Sequence, residues 1–155
     1  YYADWIVSTP LIMLALGLTA MYPFTKINYS ILFAIMMTQA MVIMTGFLAQ
    51  ACSNNTALLT FFMIGNALMI LIFYLVFGPL MECAKNNKKL ARKYKNLALL
   101  LVLFWISYPL VWIIGTPGYA LISPSATSLL FIVLPILCKP VFGIIDLFLL
   151  KSMQT

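Results

Sequence analysis

The run LPILCKPVFGIID, Leu134 to Asp146, decides how this chain folds. It sits in an apolar stretch long enough to cross a bilayer, yet it holds Lys139 between Pro135 and Pro140. An ionised lysine at mid-membrane costs about 3 kcal/mol on insertion scales, so such a residue is kept for what it does.

The rest of the chain agrees with that setting. Of 155 residues, 65% are hydrophobic and 8% charged, whereas a soluble domain carries about 25% charged residues. The composition is that of an all-α, multi-pass membrane protein with a single transmembrane domain. Apolar runs place spans at about 1–21, 30–51, 58–80, 97–114 and 128–150. Each is near the ~20 residues a membrane helix needs, and none shows the ~10-residue alternation of a barrel strand. The chain opens on Tyr1-Tyr2-Ala3-Asp4-Trp5, without methionine or a basic flank. It reads as the inside of an element, so a fragment with preceding spans missing is expected.

Lysine and arginine set the topology. Lys26 lies in the first loop, Lys85, Lys88, Lys89, Arg92, Lys93 and Lys95 in the third, and Lys151 after the last span, while the second and fourth loops have none. These loops and the C-terminus are expected on the cytoplasmic side. That bias accounts for the net charge of +6 without a nucleic-acid partner. Asn54-Asn55-Thr56 matches a glycosylation acceptor, a pattern frequent by chance.

Much chemistry is excluded. With no histidine, neither a Cys/His metal site nor a Ser-His-Asp set can be built. No phosphate loop is present, and no enzyme activity or metal is expected. Cys52, Cys83 and Cys138 fall in different compartments, so no disulfide is expected.

The ionisable acids and bases within the spans are Asp4, Lys139 and Asp146. Such groups usually face a bundle interior, pair or carry function. The plainest reading is a buried Asp4–Lys139 pair that ties two helices together. Asp146 follows Lys139 by seven residues, on roughly the same helix face and about 10.5 Å further along the axis. That separation suits a proton path through waters rather than a salt bridge. An interfacial carboxylate near the helix end is the alternative.

Pro135 and Pro140 free the carbonyls of Phe131 and Ile136 around Lys139, and Pro10 and Pro109 do the same in their spans; kinking alone is the bland account. An amine buried among apolar groups spends more time neutral, the form that condenses with an aldehyde. In FWISYPLVW, Trp105, Tyr108 and Trp112 share one helix face. A core stripe is the usual meaning of this spacing. Beside a buried lysine, the rings also form a slot for a flat apolar chromophore.

YYADWIVSTPLIMLALGL resembles the third helix of microbial rhodopsins, WISYPLVWIIG their sixth, and LLFIVLPILCKPVFG their seventh. Order and spacing agree along the whole chain, which implies helices three to seven of a seven-helix retinal-binding bundle. The resemblance implies all-trans retinal on Lys139 as a protonated Schiff base, with Asp4 as its carboxylate partner. It assigns Trp5, Trp105, Tyr108, Pro109 and Trp112 to the chromophore cage, Thr9, Gly46 and Gly65 to smaller pocket positions, and Pro135 and Cys138 to the cofactor-binding set as well. Ser8, one turn after Asp4, is placed to hydrogen-bond it.

Departures narrow the resemblance. Tyr1 stands where outward pumps have arginine, Ala15 where they have a donor carboxylate, and Pro135 where they have a second aspartate. Pro135, Cys138 and Asp146 together look like the xenorhodopsin branch, and Ser8 and Ala15 suit it. A light-driven inward proton pump is therefore implied, in a cell membrane, with the bilayer and protons as partners and a homo-oligomer such as a trimer as its assembly. A photosensory rhodopsin signalling to a transducer, and a non-photochemical protein with a structural Asp4–Lys139 pair, stay open.

Overall fold

A computed structural model describes residues 2–22 and 27–154. Tyr1 and Lys26 lie outside the described residues. Helices α1 (Tyr2–Ala20), α2 (Tyr29–Ala51), α3 (Asn55–Leu75), α4 (Met81–Lys85), α5 (Lys88–Ile114) and α6 (Pro124–Gln154) follow in order. A π-helical turn, Val76–Leu80, joins α3 to α4 without a break. Among the described residues, five helical stretches are long and apolar enough to cross a membrane, with α3, the π turn and α4 forming one of them.

Local chemistry starts these helices. Asn28, Asn54 and Asn87 each accept a hydrogen bond from a backbone N–H in the first turn of α2, α3 and α5, filling donors that a helix start leaves unpaired. Asn54 therefore serves as a helix cap. Ser123 Oγ accepts from the Ala126 N–H at 3.2 Å, and Pro124 takes the first helical position, where its missing N–H is no loss. Gly115 ends α5, and a tight turn with Ala120 at φ 52° leads to α6.

Three spans run longer than the sequence expectation. The third continues through the π turn and α4 to Lys85 rather than 80, the fourth begins at Lys88 rather than near 97, and the last runs from Pro124 to Gln154 rather than 128 to 150. The basic segment is thus largely helical. Lysine and arginine are good helix formers, and their long stems let the charged ends leave the apolar layer.

α2 packs between α1 and α3, α5 packs against α6, and α1 also meets α5 and α6. Two apolar clusters result. One, with Met13, Leu16, Ile72, Leu80, Leu90, Tyr94 and Phe142, fills the half toward the basic end. The other, with Trp5, Ala49, Val111, Trp112 and Phe131, fills the opposite half. Large apolar side chains such as Phe33, Leu103 and Phe148 remain exposed, as lipid-facing positions must.

Candidate functional site

Lys139 reaches from α6 to α1. Its Nζ forms an ion pair with Asp4 Oδ2 and donates a hydrogen bond to Ser8 Oγ at 2.6 Å. Ser8 passes its own hydrogen to the backbone carbonyl of Asp4 at 2.7 Å. The expected Ser8–carboxylate bond is thus replaced by a relay in which Ser8 accepts from the amine. The pair is not deeply buried: the Lys139 side chain is 20% exposed and that of Asp4 62%. Asp4 occupies the first turn of α1 and is exposed.

Beside this pair lies a cavity. Trp5 and Thr9, each one residue past Asp4 and Ser8, line it from α1, so successive positions on one helix serve the amine and the cavity. Gly46, Gly65, Trp105, Tyr108, Pro109 and Trp112 line it too, as the sequence suggests. Pro135, Cys138 and Lys139 do not belong to its lining. Pro135 and Cys138 are buried on a stripe of α6 that continues through Phe142 and Asp146, and Lys139 stands at the edge of that stripe.

Aromatic edges shape the cavity wall. Trp5 meets Tyr108 edge-on at 5.0 Å and Phe131 at 5.7 Å, while Phe62 stacks on Trp112 at 4.2 Å. Tyr2 closes one end, donating its hydroxyl hydrogen to the Gly46 carbonyl at 3.2 Å and lining the cavity itself. The polar lining includes Gln39, whose Nε2 donates to Thr9 Oγ1 at 2.9 Å; Thr9 in turn donates to the Trp5 carbonyl at 2.8 Å. Sequence reasoning passed over Tyr2, Gln39, Phe62 and Phe131. Gln39 could have been found as an amide inside an otherwise apolar span.

Asp146 stands apart, toward the basic end. It is buried and accepts a hydrogen bond from Thr19 of α1 at 2.7 Å. It is therefore an interior group rather than an interfacial carboxylate. Among the described residues no cluster of three histidine, cysteine or carboxylate side chains could hold a metal ion.

The model of the family described as bacteriorhodopsin-like protein matches residues 1–153. Archaerhodopsin-1 of Halorubrum ezzemoulense is 31% identical over 145 residues, covering 93% of this chain and 54% of that protein. Sensory rhodopsin-2 of Natronomonas pharaonis is 34% identical over 148 residues, covering 94% and 59%. The chain thus spans little more than half the length of these curated relatives. A crystal structure of the inward H(+) pump xenorhodopsin superposes with a TM-score of 0.89 at 38% identity, covering 99% of this chain and 68% of that one.

Proposed function

The chain belongs to the bacteriorhodopsin-like protein family, and on that footing we propose that it is a light-driven pump that moves protons inward and carries all-trans retinal on Lys139. When bound, retinal supplies light absorption and a double-bond isomerisation that re-aims the proton on its link to Nζ. The cavity fits such a group: rings from α1, α5 and α6 leave an apolar slot beside the amine. Trp105, Tyr108, Pro109 and Trp112 would hold the chain of double bonds and exclude water.

In the dark, Nζ holds its proton against Asp4 Oδ2 and Ser8 Oγ. An ionised carboxylate at this distance favours the cationic nitrogen. The observation that carries the inward direction is the placement of Asp146. It is a buried carboxyl on the same helix as Lys139, two turns toward the basic end, while Ala15, the usual donor position on α1, has no titratable group. The proton on Nζ passes to Asp146 through intermediate waters, and Nζ is recharged from the Asp4 side. The positive-inside pattern makes the basic end cytoplasmic, which gives the transfer its sign. The xenorhodopsin likeness supports the same direction.

The test is the sign of the light-induced pH change in a suspension of cells bearing the protein. Inward pumping makes the medium alkaline, and a protonophore abolishes the signal. Acidification of the medium would overturn the direction, and a steady pH in the light with a normal visible band would favour a sensor.

A further inference from the structure

The Thr19 hydroxyl and Asp146 Oδ1 face each other across the α1–α6 interface, 2.7 Å apart. Thr19 is 1% exposed and Asp146 6%. No other described group hydrogen-bonds the Asp146 carboxyl. Leu16 and Ala20 lie within a turn of Thr19, Phe142 and Leu149 within a turn of Asp146, and all four belong to the buried apolar cluster. A carboxyl in such surroundings depends on the one partner it has.

A hydroxyl is suited to that position in a way an amide or backbone N–H is not. It carries one hydrogen and two lone pairs, so it can donate to a carboxylate and later accept from a carboxylic acid. We propose that Thr19 is a positioning residue for the proton acceptor, holding Oδ1 in place and reversing its hydrogen bond when Asp146 takes the proton. The step balances simply. The proton leaves Lys139 Nζ, whose electron pair stays on nitrogen, and forms an O–H bond on Asp146. That O–H then donates to Thr19 Oγ1, while the threonine hydrogen rotates about the Cβ–Oγ1 bond away from Oδ1. This role rests on Asp146 being the acceptor proposed above.

The experiment compares Thr19→Val, Thr19→Ala and Thr19→Ser with wild type and Asp146→Asn. In the retinal-free chain kept dark, the infrared band of the Asp146 carboxyl is isolated by subtracting the Asp146→Asn spectrum. Thr19→Val and Thr19→Ala should displace that band, and Thr19→Ser should restore it. In the retinal-loaded protein, the protonated Asp146 band should rise about tenfold more slowly after a flash in the valine and alanine variants, the factor for one lost hydrogen bond to a charged group, with the dark visible band unchanged. Should Thr19→Val not assemble, the alanine and serine pair decides alone. An unmoved band and an unchanged rate in the hydroxyl-free variants, with transport abolished in Asp146→Asn, would overturn only the threonine role. Undiminished transport in Asp146→Asn would remove the acceptor itself and this role with it.

Discussion

The Tyr94 hydroxyl of α5 donates to the backbone carbonyl of Val76 at 2.9 Å, joining α5 to the first residue of the π turn. Tyr94 is fully buried. The turn also holds Pro79, which has no N–H to offer a preceding carbonyl. The N–H that proline lacks is the one that would reach Leu75, and the tyrosine bonds the carbonyl beside that gap, tying the irregular turn to a neighbouring helix.

Tyr94→Phe keeps the ring and leaves the Val76 carbonyl without that donor in an apolar core. A stability loss of about 1–2 kcal/mol is expected, with little change in the visible band. The measurement is the temperature at which the pigment loses its colour. A midpoint equal to wild type would mean that the carbonyl finds another partner.

Lys139→Ala should abolish the visible band and light-driven transport together, because the amine on α6 is the proposed attachment point. A purified Lys139→Ala protein with a normal visible spectrum would rule that assignment out.

Asp4→Asn should move the absorption to the red. Removing the anion beside the cationic nitrogen destabilises the charge most where it is localised, in the dark state. Absorption unmoved by the mutation would show that the counterion is another group.

Gln39→Leu should be close to neutral for stability, within about 1 kcal/mol. Thr9 keeps its bond to the Trp5 carbonyl, and the substitution also removes Gln39 Oε1, a buried acceptor without a partner. The absorption maximum should move, because an amide leaves the cavity lining. Thermal bleaching and a visible spectrum of the same sample check both halves.

The spans and most of the cavity were legible because both are repetitive signals. Long apolar runs mark the helices, and ring spacing in FWISYPLVW puts Trp105, Tyr108 and Trp112 on one wall. The start of α5 was not legible, since a run of lysines reads as loop by charge but as helix by propensity and by its Asn87 cap. Pro135 and Cys138, which the resemblance gives to the cofactor, are buried on the α6 stripe that continues to Asp146. Thr19 gave no local sign of its role: its partner lies 127 residues away, and a threonine in an apolar span ordinarily bonds its own helix.

At the basic end, Lys89 Nζ donates to the Ser152 carbonyl at 2.9 Å, and Lys93 Nζ bonds Ser152 Oγ. Neither contact involves a carboxylate, so both anchor α6 without neutralising any charge. Together with Lys88, Arg92, Lys95 and Lys151, against Glu82 paired to Lys85, they give that rim a standing positive potential. Protons are depleted from such a surface, and its local pH sits above that of the bulk by an amount that shrinks as salt is added. On the proposed inward route by way of Asp146, a proton reaching this rim would enter a layer poorer in protons than the bulk, and added salt would erase that difference.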